Sequence, residues 1–375
     1  MFETPPFWMY VIGFPLLLGP LVTLHELGHL LVGRWFGVKA EAFSVGFGKE
    51  LAGFTDRHGT RWKLSALPLG GYVQFQGDMN PASVPDPDAP KEEGSFQHAA
   101  LWKRALIVAA GPVTNLLVAI AILAAFLAIQ GKPVYIDSDE AVTVAYFSEG
   151  STAQAAGMAV GDEILAVDGA PTPTFEQLVQ RIALYPGERV TITVRRDGSE
   201  LALPVTIGRQ NTDDGFGNKG DRGVIGVGPA PNELEYEWEP VPLLQTIPLA
   251  VEQSGKLVDM MVTGIKQILV GQRSVKELGG PLKIGKVAGE RLSLGPSAFI
   301  EFAALISLNL AFINFLPIPA LDGGHLMFYA AEAIRRKPVG PRATEWAYRT
   351  GIALVLTLMV VVTVNDLFSL PLFGS

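Results

Sequence analysis

An apolar segment near the start of the chain carries two histidines and a glutamate in its interior. Between Phe7 and Gly33 the only charged or imidazole side chains are His25, Glu26 and His29. A segment of this length and apolarity is typical of a helix that crosses a lipid bilayer. An ionisable side chain at bilayer depth costs on the order of 2.5–3.5 kcal/mol on insertion scales, so three of them in about one turn require a compensating role.

Three further apolar segments place the chain among polytopic membrane proteins. Hydrophobic residues make up 49% of the 375 residues and charged residues only 18%, a composition that indicates several membrane spans. The predicted spans are Phe7–Gly33, Ala105–Ile129, Phe302–Leu321 and Thr350–Asn365. The first lacks a basic leader and a small-residue cleavage site, so we expect it to be retained rather than removed as a signal peptide. The absence of cysteine excludes disulfide bonds and thiolate metal ligands.

The charges between the spans predict the orientation of the chain. A basic cluster at residues 335–342 lies between the third and fourth spans, and Lys103 and Arg104, predicted headgroup anchors, precede the second. Short loops rich in Lys and Arg stay on the cytoplasmic side. We therefore predict that both termini and the acidic region 133–239 lie outside. Its acidic character argues against nucleic acid as a partner.

The HELGH motif predicts a metal site. On a helix, residues four apart lie on one face, so His25 and His29 can each direct a ring nitrogen at one Zn²⁺ at about 2.0–2.1 Å. Glu26, beside the first ligand, is placed to act as a base towards a water activated by the metal. The alternative is a pair of buried histidines hydrogen-bonded to a neighbouring helix. The cost of three ionisable groups at bilayer depth favours the metal.

A third ligand is predicted in the segment NFLPIPALDGGH, residues 314–325. Its prolines cannot continue a regular helix, and Gly323–Gly324 adopt backbone shapes that other residues avoid. Irregular backbone at membrane depth is tolerated only where it is buried in protein or lines a watery cavity. Asp322 is therefore the favoured third ligand, with His325 as its rival. A helix cap at the membrane interface is the alternative role for Asp322.

Taken together, these motifs resemble the site-2 protease family of intramembrane zinc metalloproteases, in particular its bacterial branch of regulator-of-sigma-E-protease type. HELGH in a first span is combined with N-x-x-P-x-P-x-L-D-G at Asn314–Gly323. The likeness continues through FSVGFGKEL (43–51), LPLGGYVQFQGD (67–78), FQHAALWKRALIVAAGPVTN (96–115) and GGPLKIGKVAGE (279–290). One departure is that the regulator of sigma-E protease carries two tandem PDZ modules, whereas this chain has room for one.

The resemblance implies roles for individual residues. It implies that His25, His29 and Asp322 bind zinc, that Glu26 is the catalytic carboxylate, and that Asn314 holds substrate backbone or the shape of the active site. It also implies a membrane-dipping β element beside the site that takes the substrate as an extra strand.

Residues 149–182 and the segment that follows predict a small α+β module, which resembles the PDZ domains of bacterial proteases. A helix is predicted at Phe175–Ile182, and strands at Arg189–Arg195 and Leu201–Ile207 with a turn at Asp197–Gly198. Such modules can bind an extended peptide along a sheet edge, and the predicted binding segment here is residues 223–228. A bulky gate without a peptide-binding role is an equal alternative.

The remaining segments complete the predicted organisation. Residues 241–270 are apolar but interrupted by charges, which favours an amphipathic helix on the membrane surface. Residues 79–95, rich in Pro, Asp and Glu, predict a flexible loop. The predicted domains are transmembrane segment 1 (1–36), a cytoplasmic-side loop with the β hairpin (37–100), transmembrane segment 2 (101–131), the PDZ module (135–228), the amphipathic surface region (240–296), transmembrane segment 3 (297–325) and transmembrane segment 4 (345–368).

From these features we expect a mainly α-helical membrane protein with four transmembrane segments and one inserted α+β module. The resemblance implies cleavage of single-span membrane proteins, such as an anti-sigma factor already trimmed by another protease, or of remnant signal peptides. It also implies a bacterial origin, so the expected location is an inner membrane, with the PDZ module in the periplasm and the active site in the membrane towards the cytoplasm. A non-proteolytic PDZ scaffold and a zinc-dependent sensor or carrier are the alternatives.

Overall fold

A computed structural model describes residues 5–77, 93–135, 142–213, 219–228, 236–337 and 339–369. The predicted loop at 79–95 lies largely outside these residues. The chain divides into two compact units, one of Met1–Leu123 with Gly279–Ser375 and one of Ala124–Leu278.

The helices and strands of the described residues are numbered in chain order. The helices are α1 (Phe7–Trp35), α2 (Leu101–Gln130), α3 (Thr152–Ala155), α4 (Phe175–Ala183), α5 (Leu243–Leu269), α6 (Pro281–Ser293), α7 (Pro296–Phe315), α8 (Asp322–Arg335) and α9 (Pro341–Ser369). The strands are β1 (Ala40–Thr55), β2 (Arg61–Phe75), β3 (Lys132–Tyr135), β4 (Val142–Thr143), β5 (Tyr146–Phe147), β6 (Glu163–Val167), β7 (Ala170–Pro171), β8 (Arg189–Arg196), β9 (Ser199–Thr206), β10 (Gly208–Asp213), β11 (Lys219–Val224), β12 (Val227–Gly228) and β13 (Tyr236–Glu239).

Four helices of the described residues are long and apolar enough to cross a membrane, which confirms the four predicted spans. These are α1, α2, α7 and the part of α9 from Arg342 to Phe368. The third span differs from the predicted Phe302–Leu321 because α7 already ends at Phe315. Pro317 and Pro319 cannot continue the helix, and the chain turns before α8 begins.

Exposed tryptophans mark one end of this bundle. Trp35 ends α1, Trp102 lies at the start of α2 and Trp346 near the start of α9, and all three are more than half exposed. The Phe36 ring contacts both Trp35 and Trp102, with ring centroids 5.8 and 5.1 Å apart. Tryptophan is enriched at membrane–water interfaces because its ring is apolar and its N–H is polar. The cluster therefore marks an interfacial level at this end.

The predicted hairpin corresponds to β1 and β2, and the two strands are folded over on themselves. Ala42 of β1 pairs with both Gln74 and Arg61 of β2, and Val45 pairs with both Gly71 and Leu64. The first half of β1 therefore lies between the two halves of β2. The last residues of β2, 71–75, form one outer edge of this small sheet.

The second unit contains the predicted α+β module. Its largest sheet has the order β4-β6-β8-β9, with β7 paired to β6, and every pair is antiparallel. The predicted helix at Phe175–Ile182 corresponds to α4, and the two predicted strands correspond to β8 and β9. Asp197 and Gly198 have φ values of 51° and 78°, which is the geometry of a tight hairpin turn.

A buried carboxylate holds one corner of the module. Asp162 is 1% exposed and accepts hydrogen bonds of 2.6 Å from Nε and from one terminal guanidinium nitrogen of Arg196. It also accepts one from the backbone N–H of Ala159 at 2.8 Å. The hydrogen bonds from Arg196 hold the pKa of Asp162 below its usual range. This contact joins the end of β8 to the turn before β6.

The predicted amphipathic region at 240–296 is two helices with different surroundings. Within the second unit, α5 buries a polar side, where Gln267 donates to the backbone oxygen of Leu184. Its opposite side exposes apolar residues: Leu244, Ile247, Val251, Val262 and Leu269. Within the first unit, α6 packs against α1, where a Cβ on Gly13 would lie 2.9 Å from the backbone nitrogen of Gly289. The predicted surface helix therefore corresponds to α5, whereas α6 is part of the helix bundle.

Candidate metal centre

Three side chains from distant parts of the chain converge in the first unit. One potential ligand atom from each of His25, His29 and Asp322 lies within 4.8 Å of the others. The two histidine Nε2 atoms are 3.2 Å apart. The carboxylate of Asp322 lies 3.1 Å from Nε2 of His25 and 3.6 Å from Nε2 of His29. The structure therefore brings the two motif histidines and the favoured third residue together.

Asp322 approaches the two imidazoles with different oxygens, Oδ2 towards His25 and Oδ1 towards His29, and these separations suit ligands around a single cation. Zinc bonds of about 2.0–2.1 Å place neighbouring ligand atoms about 3.3–3.4 Å apart, close to the three measured separations. Oδ2 of Asp322 is buried without a hydrogen-bond partner among the described residues. A buried carboxylate oxygen is costly unless a donor or a cation satisfies it. The residues therefore fit a divalent cation with three protein ligands and one open position.

Glu26 lies on α1 between the two histidines and faces the hairpin. Its carboxylate accepts a hydrogen bond of 3.0 Å from the backbone N–H of Val73, in the outer edge of β2. A Cβ on the neighbouring Gly71 would lie 3.7 Å from Cγ of Glu26. The same strand edge thus orients the candidate base and runs beside the metal site. The sequence predicts Glu26 beside the metal but carries no signal for its hydrogen bond with Val73.

Helix α2 packs closely against His25 and His29. A Cβ on Gly111 would lie 2.2 Å from Nε2 of His29, and one on Gly28 would lie 2.6 Å from the backbone oxygen of Ala110. Small residues let membrane helices approach closely. Nδ1 of His29 lies 2.8 Å from the backbone oxygen of Ile107. Gly111 begins the GPVTN stretch, which is part of the segment 96–115 that carries the family resemblance. The sequence by itself gives this glycine no structural role.

The turn after α7 delivers Asp322. The backbone N–H of Leu321 donates to the oxygen of Ile318 at 3.0 Å, and Ala320 has a φ of 83°. A non-glycine residue in this region is uncommon and requires support from its surroundings. Gly351 of α9 provides that support, because a Cβ there would lie 2.0 Å from the oxygen of Pro319. The fourth span is therefore packed against the turn that carries the third ligand.

His325, the predicted rival ligand, lies outside the cluster. The hydroxyl of Tyr348, on α9, is 2.6 Å from Nδ1 of His325. Asn314 lies half-buried in the last turn of α7, just before the turn that delivers Asp322. Asn314 is not among the three residues whose ligand atoms converge, and its predicted contact with the substrate stays a prediction.

Arg104 pairs with a carboxylate of the protein, and its predicted role as a headgroup anchor stays a prediction. Its guanidinium lies 3.1 Å from the carboxylate of Glu332 on α8 and 5.0 Å from the ring centre of Tyr329. This pair joins the start of α2 to the helix that begins with Asp322. The sequence separation of 228 residues left no local signal for it.

Comparison with known proteins gives a consistent result. A sequence profile of peptidase family M50 matches residues 13–358. The chain is 43% identical over 360 residues to a candidate zinc metalloprotease of Rhizobium meliloti, covering 94% of this chain and 95% of the relative. It is 42% identical over 370 residues to a similarly described protein of Agrobacterium fabrum, covering 96% of both chains. It is 33% identical over 393 residues to the metalloprotease MmpA of Caulobacter vibrioides, again covering 96% of both.

Proposed function

Because the chain belongs to peptidase family M50, we propose that it is a membrane zinc metalloprotease that cleaves peptide bonds within or near the bilayer. The observation that carries this proposal is the convergence of His25, His29 and Asp322. Glu26 lies beside them and is not one of the three candidate ligands. A purely structural metal site has no use for that carboxylate.

In the proposed mechanism the two imidazoles and Asp322 would hold Zn²⁺, which would supply Lewis-acid chemistry when bound. Glu26 takes a proton from the water that attacks the scissile carbonyl carbon, and passes that proton to the nitrogen of the leaving amine when the C–N bond breaks. The hydrogen bond from Val73 orients the Glu26 carboxylate for both transfers.

The outer edge of β2 supports a role in presenting the substrate. The N–H of Val73 points away from β1 and towards Glu26, so the edge at residues 71–75 runs past the proposed base. An extended peptide can add to an exposed strand edge through main-chain hydrogen bonds. Helical amides are already paired, so a transmembrane substrate must unwind before it can bind in this way. We propose that the substrate lies along this edge as an additional strand.

We propose single-span membrane proteins as the substrate class. The resemblance to proteases of the regulator-of-sigma-E type favours an anti-sigma-factor-like protein already trimmed outside the membrane by another protease. Remnant signal peptides are a second possible substrate. The four spans make the lipid bilayer the immediate environment, and nucleic acid is not a proposed partner.

The proposed location is a bacterial inner membrane, with the α+β module in the periplasm. The basic loop at 335–342 supports a cytoplasmic position for the end of the bundle at which Trp35 and Trp102 lie. His29 lies six residues before Trp35, or about 9 Å along a helix. In this proposed orientation the active site lies in the membrane towards the cytoplasm.

We propose that the module is a PDZ domain and that it binds an extended peptide. A groove of about 600 Å³ lies between α4 and β11, and its apolar lining includes Leu178, Val179 and Val224. A helix beside an open strand edge is an arrangement that accepts an extended chain. Residues 223–227 of the predicted binding segment at 223–228 line this groove.

Two other functions make different predictions. A non-proteolytic scaffold would bind partners through the module without cleavage. A zinc sensor or carrier would bind the metal and cleave no model substrate. The position of Glu26 beside the three ligands favours the protease over both.

Replacement of Glu26 by Gln tests the proposed base. The variant should retain zinc, because Glu26 is not a ligand, and should cleave single-span test substrates at least about 100-fold more slowly. Purified protein in detergent would be assayed for zinc by elemental analysis and for cleavage with and without chelator. Glu301→Gln, an exposed carboxylate on α7, is the matched control and should keep normal activity. Substantial cleavage by Glu26→Gln, or chelator-resistant cleavage by the native chain, would contradict the mechanism.

Replacement of Asp322 by Ala tests the third ligand. Loss of one of three protein ligands should reduce bound zinc to well below one ion per chain, as measured by elemental analysis after dialysis. His325→Ala is the control on the same helix and should keep the zinc. If the effects of the two substitutions were reversed, His325 rather than Asp322 would be the ligand.

Single cysteines test the proposed orientation, since the native chain contains none. Exposed Ser199 of the module, once replaced by Cys, should react with a membrane-impermeant thiol reagent when only the outer membrane is permeabilised. Exposed His58 and Ala343, replaced in the same way, should react only after the inner membrane is opened. The opposite labelling pattern would show that the orientation is inverted.

A charge in the groove tests the role of the module. Val179→Arg should slow cleavage of a substrate that carries an outer tail several-fold, because the buried guanidinium would exclude an apolar peptide. Gln180→Arg places the same charge on the exposed side of α4 and serves as the control. Equal rates for the two variants would favour the alternative of a steric gate.

A further inference from the structure

We propose that Asn115 is a positioning residue of the metal centre, acting through His25. In this assignment the side-chain oxygen of Asn115 accepts a hydrogen bond from Nδ1–H of His25, which fixes the ring so that Nε2 presents its lone pair to the cation. The inference deepens the proposed function, because it depends on a metal at this site.

The two side chains meet in a fully enclosed position. Asn115 lies on α2, one turn beyond Gly111, and is only 1% exposed. Its side-chain amide lies 3.2 Å from Nδ1 of His25. A polar side chain buried this deeply in a membrane helix is expensive unless it has a specific partner. The imidazole of His25 is that partner.

The protonation of His25 as a metal ligand decides whether the oxygen or the nitrogen of the Asn115 amide faces its ring. Nε2 of His25 points at Asp322 and at Nε2 of His29, at 3.1 and 3.2 Å, so this nitrogen is the one that faces the cation position. A neutral imidazole that coordinates through Nε2 carries its proton on Nδ1. Nδ1 is then a donor and requires an acceptor.

The amide of Asn115 can supply that acceptor without losing another bond. The oxygen and nitrogen of an asparagine amide are interchangeable by rotation and must be assigned from their partners. In the present orientation the amide nitrogen of Asn115 faces the ring of His25. The amide oxygen then has no hydrogen-bond partner among the described residues. A half-turn of the amide therefore gives an Nδ1–H···O hydrogen bond and breaks no existing bond of the oxygen.

The second histidine has the same arrangement with a different acceptor. Nδ1 of His29 lies 2.8 Å from the backbone oxygen of Ile107, which can only accept a hydrogen bond. Nδ1 therefore carries the proton, and Nε2 keeps a lone pair for the cation. Both outer partners thus come from α2, a backbone carbonyl for His29 and a side chain for His25. Metal-binding histidines commonly donate their other N–H to an acceptor that fixes the ring, and loss of that acceptor lowers metal affinity by roughly 10–100-fold.

A third helix fixes the position of Asn115. The hydroxyl of Ser307, on α7, donates to the backbone oxygen of Asn115 at 2.8 Å, and Ser307 is fully buried. The span that leads to Asp322 is therefore bonded to the residue that orients His25. This contact couples the positions of two ligands that come from opposite ends of the chain.

Zinc affinity of the full-length protein in detergent, measured by competition with a chelator of known affinity, tests the assignment. Asn115→Leu removes the acceptor at similar volume and should weaken zinc binding by roughly 10–100-fold. Asn115→Asp restores an acceptor and should bind zinc at least as tightly as the native protein. Thr357→Val, which removes an exposed hydroxyl from α9, is the polar-to-apolar control and should leave the affinity unchanged.

The outcomes separate this inference from the proposed function. If Asn115 had a merely structural role, both Asn115→Leu and Asn115→Asp would bind zinc more weakly than the native protein. That result would overturn the assignment. Native-like affinity of Asn115→Leu would overturn it as well. If Asn115→Leu failed to fold, the affinity of Asn115→Asp alone would decide, since weaker binding than native contradicts the proposed hydrogen bond. Absence of zinc binding by the native chain would instead refute the proposed function itself.

Discussion

The first unit is organised around the cost of placing ionisable groups at membrane depth. His25, Glu26 and His29 lie in a helix whose other residues suit a bilayer, and each finds a specific partner within the protein. Their partners come from α2, from the hairpin and from the turn after α7. Since water cannot satisfy these groups in lipid, the tertiary structure must do so.

Close helix packing makes these contacts possible. In lipid no hydrophobic effect draws helices together, so they associate where small residues permit short backbone distances. Gly28 and Gly111 bring α1 and α2 together at the metal site, and Gly351 brings α9 against Pro319. The ion pair of Arg104 with Glu332 adds a charged contact between α2 and α8. Substitutions far from the ligands in sequence can therefore alter the geometry of the metal centre.

The hairpin joins the chemistry to the proposed mode of substrate binding. The N–H of Val73 in its outer strand donates to Glu26 of α1, so the candidate base is hydrogen-bonded to the candidate binding edge. An extended substrate on that edge would lie beside the open metal position. This arrangement explains why a membrane protease would place a β-sheet next to a helical site.

The sequence by itself determined the elements whose signals are local. The apolar runs predicted four spans, the i, i+4 spacing predicted that His25 and His29 share a face, and strand alternation with an Asp-Gly turn predicted β8 and β9. It favoured Asp322 over His325 only through neighbouring Pro and Gly residues. It could not reveal the double pairing of Ala42, the approach of Gly111 to His29, the pair of Arg104 with Glu332, or the contact of Asn115 with His25. These depend on residues that are far apart in the chain and meet only when the helices pack, because periodicity specifies which face a residue occupies but not which partner that face will meet.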